Sequence, residues 1–462
     1  MKFIDREKEL RALDKFWRED QPQFIVIYGK RRVGKTELIK QFIKDKPRVY
    51  FLAQAINEHE NLKALGGAVG EAMGDETLSK KGFDTWKEFF SYIRERLKKK
   101  MVLAIDEFPY LAEANKGIPS IFQAAWDEHL AHSPLFLILC GSSIGMMEKA
   151  VLAYKAPLYG RRTGQILLEP FAFSSAREFY PSLPFERSLE LYSIAGGNPS
   201  YLNKLDGSIS LSKNIEQKIL PPESFLFNEI GFILREELRE PRNYMTILKA
   251  IALGKHKIGE IVNETGLAKG ILHKYLFTLE DLYVVHKEVP VTEKIPLKSR
   301  KGIYKLRDQF FKFWFKYILP NQGSILAGNQ HWVLDKILKD IPVLIAENYE
   351  SVARELVWRQ AEKFFPILKI GRWWDRNEEI DIVALNDEEN AALFGEVKWS
   401  GRPVGTDIYE NLKEKASRVQ WGAPGRKEYY CLFSKSGFTP ALLNLAGKEK
   451  ISLFHQDKLL QL

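Results

Sequence analysis

Through the first third of the chain, short apolar runs alternate with segments whose apolar positions recur three and four residues apart. Runs at 24–28, 48–52, 101–105, 135–140 and 165–168 read as strands, short and apolar enough to lie inside a sheet. Between them, 35–44, 85–98 and 121–130 carry helical spacing. In 85–98 the inward set is Trp86, Phe89, Phe90, Ile93 and Leu97. Strand and helix in alternation predict an α/β fold, a parallel sheet covered by helices on both faces.

The pattern changes after about residue 170. Residues 171–240 read mostly helical and contain a Gly-Gly-Asn-Pro turn, where Gly197 can end one helix and Pro199 start the next. Residues 241–310 carry the pattern of a winged helix. Helices are expected at 244–253, 258–262 and 268–279, with Glu264-Thr265-Gly266 as a turn. In the third, Ile271, Leu272, Tyr275, Leu276 and Leu279 are expected to face inward. Strands at 282–286 and 302–306 flank a loop holding Lys298, Arg300 and Lys301. An aromatic helical connector spans 311–345. Residues 346–462 open with a helix at 346–360, followed by strands near 367–374, 379–385, 392–398 and 428–433. The expected domains are therefore 1–170, 171–240, 241–310, 311–345 and 346–462.

A chain of 462 residues is too long for one ordinary core. A net charge of +9 favours an anionic partner without naming one. The two cysteines, Cys140 and Cys431, have no neighbours at metal-ligand spacing. The first residues lack the apolar stretch of a secretion signal, and no run approaches a membrane span, so a cytoplasmic protein is expected.

Chemistry enters with Gly29-Lys30-Arg31-Arg32-Val33-Gly34-Lys35-Thr36, which follows the first strand and opens a helix. A loop that wraps phosphates with backbone N–H groups needs glycine where it turns tightly. Lys35 would neutralise the β- and γ-phosphates of ATP, and the Thr36 hydroxyl would ligate Mg²⁺. The apolar strand at 101–105 delivers Asp106 and Glu107 to its C-terminal end, where ligands bind in open α/β sheets. Asp106 is expected to hold Mg²⁺ through water, and Glu107 to polarise the attacking water as general base. Ser142, after the fourth strand, is a candidate to reach the γ-phosphate. Arg161 and Arg162, just before the fifth, are candidates to stabilise transition-state charge in cis or from a neighbouring subunit of an oligomer.

The run from Phe3 to Leu10, the phosphate loop, Ile105-Asp106-Glu107-Phe108, Leu158-Tyr159-Gly160-Arg161-Arg162 and Gly196-Gly197-Asn198-Pro199 together resemble the archaeal-type ATPase family, of the AAA-like STAND group of P-loop NTPases. The resemblance covers residues 1 to about 235. It implies a sheet with an added strand between the two nucleotide-binding strands, then a helical lid and a winged helix. It places Asp5 and Arg6 at the border of the adenine site and Pro199 near the nucleotide. The implied mechanism is a switch: ATP holds one domain arrangement and hydrolysis releases it.

A winged helix presents its third helix to the major groove of DNA and its wing to phosphates. Lys269, His273 and Lys274 on the helix, with Lys298, Arg300 and Lys301 on the wing, suffice for phosphate contact but form no dense base-reading set. In the last segment, Glu379-Ile380-Asp381-Ile382-Val383 and Phe394-Gly395-Glu396-Val397-Lys398 flank a polar turn. Side chains alternate along strands, so Glu396 and Lys398 share a face, and Asp381 meets them if the hairpin register allows. Two carboxylates and a lysine at one point suit metal-dependent phosphodiester hydrolysis, Asp381 and Glu396 holding Mg²⁺ and Lys398 steadying charge. This resembles the PD-(D/E)xK nuclease superfamily, which adds Glu350 as an acidic helix position at the metal and Lys413 as a weaker match. The expected whole is an ATPase whose nucleotide state controls DNA binding or cleavage by a restriction-nuclease-like domain. The alternative is a regulatory switch acting on protein partners, with that domain inert.

Overall fold

The five apolar runs of the first third become β1 (Gln23–Tyr28), β2 (Arg48–Leu52), β3 (Met101–Asp106), β4 (Leu135–Gly141) and β5 (Gly164–Leu167). They form one sheet in the order β2-β3-β4-β1-β5, every pair parallel. β4 thus lies between β1 and β3, the two strands that carry the expected nucleotide residues. Every residue of β1, β3 and β4 is buried, as strands covered on both faces require. The helix Lys35–Ile43 packs Leu38, Ile39 and Phe42 onto Ile25, Ile27, Ala104 and Ile138. This computed structural model describes residues 3–238, 240–376 and 378–461. The chain divides into two compact units, one running to Phe171 and including Asn198–Ser200, the other comprising Ala172–Gly197 and the chain from Tyr201.

The second unit begins with short helices. Helices Pro241–Ala252, Ile258–Thr265 and Lys269–Asp281 then precede an antiparallel pair, β6 (Val285–Glu288) and β7 (Ile303–Leu306). In Lys269–Asp281, Leu272, Leu276 and Leu279 are buried as expected. Ile271 is not: it is 48% exposed, because successive helical residues point about 100° apart and Leu272 takes the inward position. Its exposed neighbours are Lys269, His273, Lys274 and Phe277.

The helix expected to begin at 346 begins at Gln330 and runs unbroken for 30 residues to Arg359, so the expected 345/346 boundary falls inside it. Beyond it a mixed six-stranded sheet takes the order β13-β12-β11-β10-β9-β8. Its strands are β8 (Lys369–Asp375), β9 (Glu378–Asn386), β10 (Ala391–Lys398), β11 (Lys427–Ser434), β12 (Ser452–His455) and β13 (Lys458–Leu459). β8, β9 and β10 form an antiparallel meander, whereas β10, β11 and β12 run parallel. The helix Thr406–Ser417 makes the crossover from β10 to β11 and buries Tyr409, Leu412 and Ala416 against Leu385, Phe394 and Leu432. Among the described residues, no helix is long and apolar enough to cross a membrane.

Candidate functional site

The phosphate loop leaves β1 after Tyr28 and turns on residues with positive φ. Gly29 has φ 148°, Arg32 68° and Gly34 95°. A Cβ at Gly29 would stand 2.3 Å from the carbonyl oxygen of Leu168, so only glycine fits that first turn. Lys35 is buried, and its ammonium donates to the carbonyls of Gly29 (3.0 Å) and Lys30 (2.8 Å). Burial pulls the Lys35 ammonium below the usual lysine range, against the pull of Glu107 and Asp106. An anion inside the loop would reverse that loss.

Thr36 and Asp106 converge. The Thr36 hydroxyl donates to Asp106 Oδ2 at 2.6 Å, and the Tyr50 hydroxyl donates to the same oxygen at 2.9 Å. A hydroxyl and a buried carboxylate at one point form an oxygen donor set that fits Mg²⁺. Tyr50 had no signal in the sequence, because its role depends on β2 lying beside β3. Glu107 caps the next helix in a left-handed conformation, φ 54°. Ser142 holds its carboxylate: the amide and hydroxyl of Ser142 both donate to Glu107 Oε2, at 3.1 and 2.8 Å. The hydroxyl expected at the γ-phosphate thus donates to the carboxylate of the expected base.

Arg6 is 7% exposed and braces the loop. Its guanidinium donates to the carbonyls of Val33 (3.1 Å) and Glu169 (2.7 Å) and lies over the Phe171 ring. Asp5 precedes it, both residues having positive φ. Pro199 sits beside Gly34, its Cγ 3.9 Å from where a Cβ would be. Arg161 and Arg162 stand just before β5 as expected, but the geometry there bears on the in-cis role. β5 is parallel to β1, with Gly164 opposite Ile25 and Leu167 opposite Tyr28. Residues before Gly164 therefore lie at the end of the sheet away from the phosphate loop. Arg161 is held there by Asp127 (2.7–3.0 Å), and Arg162 donates to the carbonyl of Val151. Neither serves the loop in cis.

Residues 3–205 match an ATPase domain found predominantly in Archaea, and residues 314–416 match a family of archaeal and bacterial proteins of unknown function. The uncharacterized protein MJECL04 of Methanocaldococcus jannaschii is 37% identical over 439 residues, covering 94% of this chain and 95% of its own. The chain belongs to the archaeal ATPase family. The Walker-type ATPase of Pyrococcus abyssi has the same fold over 68% of this chain and 96% of its own, with a TM-score of 0.52 at 22% identity. The uncharacterized ATP-binding protein MJ0423 of M. jannaschii is 48% identical over 44 residues, 10% of this chain and 75% of its own. As a member of the family, the chain is a P-loop ATPase that binds nucleotide.

A second polar cluster lies on the C-terminal sheet of this archaeal ATPase. The β9–β10 register pairs Gly395 with Ile382, which sets Glu396 opposite Asp381 one step on. Asp381 Oδ2 accepts from the Val397 amide at 2.9 Å. Lys398 donates to Glu396 Oε1 at 2.7 Å, and the Lys415 ammonium lies 3.6 Å from the same oxygen. Glu396 Oε2 is buried without a hydrogen-bond partner. Burial, with the charges of Glu350 and Glu396, pushes the Asp381 carboxyl up to about 7. Burial alone would lower Lys398, but Glu396, Asp381 and Glu350 outweigh it and raise it.

The two other expected members have partners of their own. Glu350 lies 3.7 Å from Arg372 Nε and acts on Asp381 through its charge. Among the described residues no group of three or more acidic, His or Cys side chains is arranged to hold a metal ion. Lys413 pairs with Glu449 at 3.2 Å. Lys415, on the opposite face of the same helix, is the lysine that approaches Glu396. Arg354, also without a sequence signal, donates to the Asp381 carbonyl at 2.9 Å.

Proposed function

We propose that this ATPase couples its nucleotide state to DNA binding or metal-dependent DNA cleavage by its C-terminal domain. The observation carrying the proposal is the pairing of Asp381 with Glu396 beside Lys398, with Glu396 Oε2 buried and unpartnered. A buried carboxylate oxygen without a donor suits a hard cation. Asp381 and Glu396 would hold Mg²⁺, which when bound activates water and neutralises phosphate charge. Lys398 would steady charge on the phosphate oxygens. The three helices and the β6–β7 pair read as a winged helix. Exposed Lys269, Lys274, Lys298 and Arg300 supply phosphate contacts there, and exposed Ile295 and Leu297 offer apolar contact at the wing.

At the phosphate loop, Lys35 would leave the Gly29 and Lys30 carbonyls for the β- and γ-phosphates. Thr36 and Asp106 would hold Mg²⁺. Glu107, oriented by Ser142, would take a proton from the attacking water. Asp5 and Arg6 would border the adenine, and Pro199 would sense the loop. Arg161 or Arg162 would act only from a second copy of the chain, and Arg161 would first have to release Asp127.

The test is cleavage of labelled single- and double-stranded DNA by the wild type and Asp381→Ala, with Mg²⁺ or Mn²⁺. Metal-dependent cleavage by the wild type, lost in the variant, supports the proposal. A wild type that neither cleaves nor binds DNA in a salt-dependent way refutes it. One feature favours a second reading, a regulatory switch of the STAND type acting on protein partners. Two lysines already neutralise Glu396 Oε1, and an inert domain would retain such a pair for stability.

A further inference from the structure

The two oxygens of the buried Asp106 carboxylate have different surroundings. Oδ2 faces Thr36 and accepts from the Thr36 hydroxyl at 2.6 Å and from the Tyr50 hydroxyl at 2.9 Å. Oδ1 accepts from the amide of Glu107 at 3.0 Å. The buried Cys140 thiol, a weak donor, adds a further bond to the carboxylate. A carboxylate oxygen has about two acceptor positions, so the two hydroxyls fill Oδ2.

The fold holds Tyr50 in place for this contact. On β2 it pairs with Ala104 of β3, while Leu52 pairs with Asp106. Side chains alternate along strands, so Tyr50, Ala104 and Asp106 rise from one face of the sheet. The half-buried Tyr50 ring packs against the core that contains Ile39, Val102, Ala104 and Cys140. Its hydroxyl, at the far end of the ring, therefore reaches one residue pair further along β3, to Asp106.

Oδ2 is the oxygen turned to Thr36, and hence to a cation that the Thr36 hydroxyl ligates. Thr36 can ligate without giving up its bond, because its proton goes to Asp106 and its lone pairs stay open. A cation binds Oδ2 directly only by displacing a hydroxyl, and Tyr50 is the one with no other part in holding it. We propose that Tyr50 sets the metal specificity of this site: it keeps Asp106 out of direct coordination, so that the site takes Mg²⁺ and disfavours Ca²⁺. The proposal rests on the reading of Thr36 and Asp106 as the Mg²⁺ site. Mg²⁺ gives up its waters reluctantly, which suits a carboxylate that meets it through water. Ca²⁺ gathers about six to eight oxygens and takes carboxylates directly. Tyr50 acts through Asp106 and is a positioning residue.

The test is calorimetric titration of the full chain with a non-hydrolysable ATP analogue in saturating Mg²⁺, in saturating Ca²⁺ and in EDTA. The wild type is expected to bind the Mg²⁺ complex more tightly than the Ca²⁺ complex. Tyr50→Phe removes one hydroxyl and frees a position on Oδ2. Its Mg²⁺-over-Ca²⁺ affinity ratio should fall roughly 10-fold, the strength of one hydrogen bond to a charged group, while its affinity in EDTA stays at the wild-type value. Tyr50→Leu is the second variant and should show the same fall, with unfolding midpoints reporting that each variant is folded. A loss common to all three conditions would mark a merely structural role and overturn the proposal. Equal wild-type affinity for the two complexes overturns it too, as does a ratio unchanged in the folded variants. Wild-type affinity that no metal alters would defeat the Mg²⁺ reading as well, whereas the other adverse outcomes leave that reading standing.

Discussion

Lys35 is a buried cation that caps the carbonyls of its own loop. Replacing it with alanine removes a desolvated charge, so the fold should survive while ATP affinity falls at least about 100-fold, the equivalent of roughly 3 kcal/mol. Calorimetric titration of Lys35→Ala with ATP checks this, and unchanged affinity would contradict the assignment of the loop. Asp381 gives a pH prediction. Its folded carboxyl sits near 7 because of burial and neighbouring carboxylates, above the value of about 4 for an unfolded aspartate. The folded state binds the proton more tightly, so stability is lost as pH rises from about 4 to 7. Asp381→Asn should therefore melt higher than wild type at pH 8 without added metal, and the gap should close near pH 4. Equal melting at both pH values would contradict it. Lys35, Thr36, Asp106 and Glu107 were legible because their motif sits between an apolar strand and a helix. Tyr50, Arg354 and Lys415 were not, because strand order and helix phase bring them to their partners.

At the scale of elements, strand direction decides what a motif can do. The Gly160-Arg161-Arg162 segment stands immediately before β5, and the parallel β1–β5 pairing sends it to the wrong end of the sheet for an in-cis role. A linear sequence carries no signal for that. The β9–β10 hairpin is the opposite case, because the strand period of two already grouped Glu396 with Lys398, and the antiparallel register supplied Asp381. Ser142 belongs to the link between β4 and the helix cap at Glu107. Ser142→Ala removes the hydroxyl while leaving the amide contact. The turnover number for ATP should fall by about 5-fold, one hydrogen bond's worth, while ATP affinity stays at the wild-type value. Lost affinity with unchanged turnover would place the hydroxyl at the phosphate instead.

For the whole molecule, the first unit is a P-loop ATPase core, and the second holds the paired carboxylates Asp381 and Glu396 and a helix with the exposed lysines Lys269 and Lys274. The proposed function joins them through nucleotide state. If ATP governs the C-terminal site, variants arrested at different points of the ATP cycle must act differently on DNA. Glu107→Gln is expected to keep the loop and retain ATP, and Lys35→Ala to lose it. The decisive measurement is the rate of DNA cleavage with Mn²⁺ as ATP is raised, for wild type, Glu107→Gln and Lys35→Ala. The account predicts that Glu107→Gln with ATP and Lys35→Ala lie at opposite extremes, with the wild type between them and responsive to ATP. Identical rates for all three, whatever the ATP concentration, would contradict it.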